Sequence, residues 1–288
     1  MAVTAKTVME LREKTGAGMM TCKKALQETG GDLEQAFEYL RKKGVETAKK
    51  KSARTAEEGV VKAKVESGRA VMLEVVCETD FVAKNDQFQE FTDQLLDILY
   101  RSGAEDLEGF KAYSAEEFGG KTVQEKVTEN IANIGENISV TKIAVIKFDP
   151  SSANVIPYIH MNGKIGVLTE VAAPSPDSDV VIAAAKDVAM QVAAMNPKSL
   201  SADELDRDFV DKERSILLEQ MKNDEKNKNK PEEILNKIID GRLGKLYKEV
   251  CLLEQPFVKE NKKSVSEFIK GNGTGMEIKS FIRFEAGE

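Results

Sequence analysis

Val71-Met72-Leu73-Glu74-Val75-Val76-Cys77-Glu78-Thr79-Asp80-Phe81-Val82-Ala83-Lys84-Asn85-Asp86-Gln87-Phe88 changes its periodicity partway along. Val71, Leu73, Val75 and Cys77 mark one face of a period-two run, as a strand requires. Phe88, Phe91, Leu95 and Leu99 mark one stripe of a 3.6-period run, as a helix requires. The residues from Cys77 to Asp86 join the two. An apolar ring at Phe81 in such a connection has two readings. It closes off the local core with Asp80 starting the turn, the commoner fate of a Phe. Alternatively it faces solvent, which is costly unless something binds it.

Before this stretch, Val61, Ala63 and Val65 alternate with Lys62, Lys64 and Glu66, and Ser67-Gly68-Arg69 supplies a turn. The strand is therefore the second arm of a β-hairpin. After it, a helix is expected over about Asp86 to Tyr100, then an acidic connection from Ser102 to Gly120. A helix with Val123, Val127, Ile131 and Ile134 follows, and a strand on Ile138, Val140, Ile143, Val145 and Phe148. This order of strand, strand, helix, helix, strand then recurs. Val155 to His160, Met161-Asn162-Gly163-Lys164 and Ile165 to Ala172 form a second hairpin, and the next helix carries Val181, Ile182, Ala185, Val188, Ala189 and Val192. The closing pieces come late: a helix from Pro231 with Leu235, Ile239 and Leu243, and a strand near Ile278, Ser280, Ile282 and Phe284.

Between those pieces, roughly Met195 to Gly241 is inserted. One helix of the insert carries Leu205, Phe209, Ile216, Leu217 and Met221, the polar tract Lys222 to Lys230 makes its tip, and Pro231 opens the return. Two antiparallel helices leave an apolar stripe to cover, by packing on their own core or by self-association as a homodimer through the hairpin. The first fifty residues read as three short helices. Val8 and Leu11 line the first, Thr21 caps a second with Cys22, Ala25 and Leu26 inside, and Asp32 with Gln35 opens a third that buries Leu33, Ala36, Phe37 and Leu40. So small a bundle reads as a docking module on a linker, Lys49 to Glu58.

Composition excludes several classes. The 288 residues exceed one compact domain, and 32% charged with 41% hydrophobic is a foldable, soluble balance. Neither a membrane-spanning run nor a signal-peptide plan is present, so a cytoplasmic location is expected. Cys22, Cys77 and Cys251 are odd in number and widely spaced, which encodes neither a disulfide framework nor a zinc site. A net charge of −7 argues against a surface built for nucleic acid. The local exception is Arg41 to Arg54, seven Lys or Arg against one Glu, which reads as a solvated helix end. His160 is the sole histidine and lies in a hairpin turn without a patterned Ser or Cys nucleophile. The Gly271 to Gly275 stretch lacks the lysine and following helix of a phosphate loop. No catalytic residue, metal ligand or cofactor is expected, and an interaction protein fits better than an enzyme.

Leu11 through Leu26 and Glu74 through Lys84 resemble the two signature stretches of the bacterial elongation factor Ts family. Gln255-Pro256-Phe257-Val258 and Phe281-Ile282-Arg283-Phe284-Glu285 resemble its late motifs. The resemblance implies a guanine nucleotide exchange factor for the GTPase elongation factor Tu in translation elongation. It implies an α+β fold: a three-helix, ubiquitin-associated-like N-domain with linker over 1–55, and a core of two related α/β subdomains with antiparallel three-stranded sheets. These are 56–150, and 151–194 with 242–288; the antiparallel helical hairpin, 195–241, is inserted in the second. The residues matching Asp80 and Phe81 push between two helices of the partner's nucleotide domain and disturb its magnesium site. Thr79 and Val82 beside them, Met19 and Met20 of the N-domain, and His160 of the second subdomain are expected to bind the same partner. Val76 stands where the family usually has Asn, and Thr21 where Asp is common. Some members have a further C-terminal helix that grips the partner, and with the sequence ending at Glu288 that contact is expected to be absent. The alternative is an RNA-associated translation scaffold using 41–54; direct nucleic-acid binding and membrane association are otherwise not expected.

Overall fold

The computed structural model describes residues 3–223 and 231–288. The expected hairpin tip, Lys222 to Lys230, falls outside them beyond Asn223. The chain divides into two compact units: Met1–Ile146 with Ile159–Gly166 and Phe284–Glu288, and Lys147–Tyr158 with Val167–Arg283.

Helices α1 (Ala5–Thr15), α2 (Met19–Glu28) and α3 (Leu33–Lys51) open the first unit. Thr4 and Thr7 cap α1 reciprocally, and Gly16 at φ 67° ends it in the left-handed conformation that glycine adopts most readily. Val8, Leu11, Cys22, Ala25, Leu26 and Ala36 bury one another. Two expectations are corrected here. Thr21 is not the cap of α2: the helix begins at Met19 behind Gly18, whose extended backbone already makes the entry, and Thr21 lies within the first turn. The expected linker from Lys49 is helical as far as Lys51, because α3 continues through most of the basic stretch and carries Lys49, Lys50 and Lys51 at the pole where cations are favoured.

Strands β1 (Glu58–Glu66) and β2 (Arg69–Cys77) pair antiparallel from Glu58 opposite Cys77 to Glu66 opposite Arg69. Ser67 and Gly68, both at positive φ, make the two-residue turn whose twist matches the strands. Helices α4 (Asp80–Ala83), α5 (Asp86–Ser102), α6 (Leu107–Ala112) and α7 (Val123–Ile134) precede β3 (Ser139–Lys147), which lies beside β2. One face of β2, Val71, Leu73, Val75 and Cys77, packs with Phe88, Phe91, Leu95 and Leu99 of α5 and Val123, Val127 and Ile131 of α7.

The opposite face of β2 is buried as well, which the alternating pattern did not foretell: Met72, Glu74 and Val76 are all inaccessible. A side chain at Gly166 would strike Val61 and Met72, so the backbone passes directly over that face. Gly287 donates its N–H to Glu74 Oε1 at 2.8 Å, and Lys142 Nζ lies 3.2 Å from Glu74 Oε2. A carboxylate is retained inside the sheet because a cation and a backbone donor meet it there.

The N-terminal bundle does not rely on its own small core. Arg41 of α3 reaches Glu125 of α7 at 2.8 Å, Asn133 Nδ2 donates to the Thr15 carbonyl at 3.1 Å, and Lys51 Nζ donates to the Gly135 carbonyl. The backbone N–H of Thr122, and after it the Arg41 guanidinium, hold the Glu125 carboxyl below the ordinary range, so that pair keeps its charge in mildly acid solution.

The second hairpin, β4 (Ala153–His160) and β5 (Ile165–Ala172), turns through Met161, Asn162 and Gly163, all at positive φ. Helix α8 (Asp179–Met195) buries Val181, Ala185, Val188, Ala189 and Val192 as its spacing requires. Helices α9 (Arg207–Asn223) and α10 (Glu232–Val250) follow, then β6 (Pro256–Phe257), β7 (Glu260–Ser264), α11 (Val265–Gly271) and β8 (Glu277–Glu285). The sheet order β4-β5-β8 repeats β1-β2-β3, and both sheets are antiparallel. Met221 of α9 packs with Leu235, Ile239 and Leu243 of α10, so the inserted helices cover much of their apolar stripe on each other. Leu205 precedes α9 rather than lying on it, Ile216 is exposed, and Pro231 caps α10 instead of entering its first turn.

Helix α10 runs unbroken through Gly241, which has open space where a Cβ would stand. Gly241→Ala should therefore raise stability by about 0.5–1 kcal/mol, since alanine loses less backbone entropy in a helix. A urea titration followed by circular dichroism checks this; an unchanged or lowered midpoint would contradict it.

Candidate functional site

The exit from β2 determines how Phe81 is held. Thr79 is the N-cap of α4: its backbone is extended, and its hydroxyl accepts the Val82 N–H at 3.3 Å. One helical turn later Asn85 caps α5, with Oδ1 accepting the Gln87 N–H at 2.9 Å. The turn between these caps buries Ala83 and half-buries Val82. With residues 100° apart around a helix, this leaves the preceding side chain pointing outward, and Phe81 is 82% exposed. The commoner fate for this ring, closing the local core, is thereby excluded.

Asp80 and Lys84 form an i,i+4 pair at 2.7 Å on the same turn. The hydrogen bond from Lys84 lowers the Asp80 pKa below the ordinary value, and the same contact raises that of Lys84. A folded-state pKa depressed in this way gives a contribution present above the unfolded value and lost only as the pH falls through the lowered one. Both charges persist at neutral pH beside the exposed ring.

The segment entering the turn is held by the connection between α7 and β3. Glu136 Oε2 accepts the Glu78 and Thr79 N–H groups, each at 3.0 Å, and Oε1 accepts the Thr79 hydroxyl at 2.7 Å. In return, Glu78 Oε1 accepts the Asn137 N–H at 2.6 Å, and Asn137 Nδ2 donates to the Arg54 carbonyl at 2.8 Å. Cys77 donates to the Thr79 carbonyl at 3.2 Å, while burial, with the Glu136 charge adding to it, pushes its thiol up to about 12. It is a packing residue at neutral pH rather than a nucleophile.

The other expected binding residues lie on separate elements of the same compact unit. Met19 and Met20 begin α2 and are 42% and 75% exposed. His160 ends β4 and is exposed, flanked by Ile159 and Met161, themselves exposed. The tip beside them is anchored by Lys164, whose Nζ contacts Glu58 Oε2 at 3.3 Å and donates to the Glu57 carbonyl at 3.2 Å. Thus Thr79, Asp80, Phe81 and Val82 form one turn, whereas Met19, Met20 and His160 are not in it.

Sequence reading missed Glu136, for which the signal was a carboxylate directly after the helix-stopping Gly135. Val258, at the end of the Gln255-Pro256-Phe257-Val258 stretch, is exposed and follows a buried amide network in which Gln191 donates to Gln255 Oε1 at 3.0 Å and accepts the Val258 N–H at 2.8 Å. Part of the basic run is engaged: Arg41 with Glu125, Lys51 with the Gly135 carbonyl, Arg54 with Glu78, and Lys43 over the Tyr39 ring. A groove of about 430 Å³ between α3 and α7 is lined by Phe37, Leu40, Gly44 and Ala132 and lies apart from the Phe81 turn. Among the described residues there is no cluster of three metal-ligating side chains and no helix long and apolar enough to cross a membrane.

Phe81→Ala should change folding stability by less than about 0.5 kcal/mol, because a surface ring supports little core. Phe88→Ala, at a fully buried position, should cost about 3–5 kcal/mol. Denaturant melts of the two variants check the contrast, and comparable losses would contradict it.

The profile described as Elongation factor TS matches residues 78–288. Elongation factor Ts of Clostridium botulinum (strain Alaska E43 / Type E3) is 45% identical over 294 aligned positions, covering 99% of this chain and 93% of the relative. Elongation factor Ts of Clostridium perfringens (strain SM101 / Type A) is 45% identical over 292, with the same coverage of each. Likeness of this extent takes in the N-terminal bundle, the duplicated sheets and the inserted helices together, and places the chain in the elongation factor Ts family.

Proposed function

We propose that this chain is the guanine nucleotide exchange factor of elongation factor Tu, and that it speeds GDP release by inserting Asp80 and Phe81 between two helices of the partner's nucleotide domain, beside its magnesium site. Family membership supports the exchange role. The 82% exposure of Phe81, on a turn capped at both ends, carries the insertion mechanism. A ring carried on a turn whose backbone is already capped at both ends loses less backbone freedom on binding than one on an unstructured loop. Burying the ring contributes about 1.5–3 kcal/mol, and about 1.4 kcal/mol off the barrier corresponds to tenfold in rate.

Nucleotide and exchange factor then oppose each other by linkage: each distorts the phosphate and magnesium site against the other, so each weakens the other by the same factor. Met19 and Met20 supply a second contact and His160 with Ile159 and Met161 a third, which spreads the binding energy beyond the insertion itself. The chain makes and breaks no covalent bond in this role. The RNA-scaffold alternative is not favoured: family membership points to the exchange role, and three of the seven cations it would use, Arg41, Lys51 and Arg54, already bond within the protein.

Release of fluorescently labelled GDP from elongation factor Tu should accelerate when this chain is added. Phe81→Ala and Asp80→Ala should each slow release at saturating factor more than they weaken binding to nucleotide-free partner. The double variant should fall short of the combined single effects, because both residues act at one place. A wild-type chain that leaves the release rate unchanged would overturn the exchange reading; a fully active Phe81→Ala variant would overturn the insertion.

A further inference from the structure

We infer that Glu136 is a positioning residue for exchange: its carboxylate fixes the direction in which Asp80 and Phe81 are presented, without itself reaching the partner. This rests on the exchange reading above.

The geometry is that of a clasp with the carboxylate at its centre. Both oxygens of Glu136 are used, Oε2 by two backbone N–H groups and Oε1 by the Thr79 hydroxyl. The backbone bonds fix the peptide planes that lead into α4, and the hydroxyl bond fixes the rotamer of its N-cap. By donating to Glu136, the Thr79 hydroxyl turns its lone pairs toward the Val82 N–H, which it accepts. One carboxylate therefore orders both the entry to the turn and the first hydrogen bond inside it.

The turn needs this support because it is short. A four-residue helix lies well below the length at which helical structure sustains itself in water, and its largest apolar residue, Phe81, points outward. Within the turn, only Ala83 is buried. A charge-assisted set of hydrogen bonds from a neighbouring element supplies the order that local packing does not. Glu136 is itself fixed in place. It follows the left-handed Gly135, whose carbonyl is bonded by Lys51, and precedes Asn137, whose N–H is bonded by Glu78. The two short segments 78–79 and 136–137 thus hold each other through reciprocal carboxylate-to-backbone bonds.

Nothing in this arrangement contributes apolar surface to a partner. The role of Glu136 must therefore show in how well the insertion is aimed, which separates it from a residue that only adds affinity. Glu136→Gln keeps an oxygen able to accept the two backbone N–H groups, and its amide can meet the Thr79 hydroxyl as a donor. Glu136→Ala keeps neither.

The test has two arms. In the first, amide hydrogen–deuterium exchange is measured on the free chain. Glu136→Ala should raise the exchange rates of the amides of 78–84 by about tenfold or more, while α5 and β2 keep their protection. In the second, GDP release from elongation factor Tu is followed against factor concentration. Glu136→Ala should lower the saturating rate by about tenfold, with less than about a twofold change in the half-saturating concentration. Glu136→Gln should restore most of that rate. Combined with Phe81→Ala, Glu136→Ala should add little, because an absent ring cannot be misaimed.

Unchanged protection of 78–84, an unchanged saturating rate, or losses that multiply fully with Phe81→Ala would each overturn the inference. If Glu136→Ala melts early, both arms are run below its melting onset, where the folded variant still gives the comparison with Glu136→Gln. A wild-type chain without effect on GDP release would sink the exchange reading and the aiming role with it. The amide measurement would still decide separately whether Glu136 holds the turn.

Discussion

Strand β2 has no face toward water. Val71, Leu73, Val75 and Cys77 meet α5 and α7, and Met72, Glu74 and Val76 are covered on the other side. A strand buried in this way cannot slip, because a shift of one residue would carry Glu74 away from the Gly287 N–H and Lys142 and into the hydrocarbon of the α5 and α7 face. Its end at Cys77 is consequently a fixed point. The turn that carries Phe81 starts two residues later, and its capping residue, Thr79, is bonded to Glu136. Chain direction at the exposed ring is thus inherited from the most deeply buried part of the unit.

Most of this architecture was legible because period-two and 3.6-period patterns are strong where one face alone is buried. Phe88, Phe91, Leu95 and Leu99 announced α5, and the second hairpin announced the duplication that the sheet orders display. The signal was incomplete where a second element covers the opposite face: spacing marked only Val71, Leu73, Val75 and Cys77, whereas Met72, Glu74 and Val76 are buried too. It failed where a segment is held by side chains distant in sequence. The basic run around Arg41 to Arg54 reads as a solvated helix end until Glu125, the Gly135 carbonyl and Glu78 are placed beside it.

The Phe81 turn was half legible for a related reason. Spacing alone favoured a buried ring, since the commonest use of an apolar residue between a strand and a helix is to seal the core. What tips the balance is that Ala83 and Val82 occupy the inward positions of α4, leaving no inward position for the larger ring. The polar residues that could have flagged the site, Thr79 and Asn85, are ordinary caps in sequence. Their pairing one helical turn apart becomes meaningful only once Glu136, more than fifty positions later, is seen to bond the first of them.

An exchange factor built on this plan has a constraint on its strength as well as on its geometry. By reciprocity, whatever free energy the inserted ring spends on weakening nucleotide is the free energy by which returning nucleotide weakens the factor. Were Phe81 one of several large rings inserted together, the factor would bind so firmly that nucleotide could not displace it. In the insertion proposed above, a single exposed Phe contributing about 1.5–3 kcal/mol would move the balance by one to two decades and leave it reversible. Further affinity has to come from places that touch the partner without opposing nucleotide. Met19 and Met20 on α2, and Ile159, His160 and Met161 on the second hairpin, are exposed on elements separate from the turn and suit that division of labour. In such a design the aim of one ring would matter more than the amount of apolar surface around it, and the orienting role proposed for the Glu136 carboxylate is one that surface area could not replace.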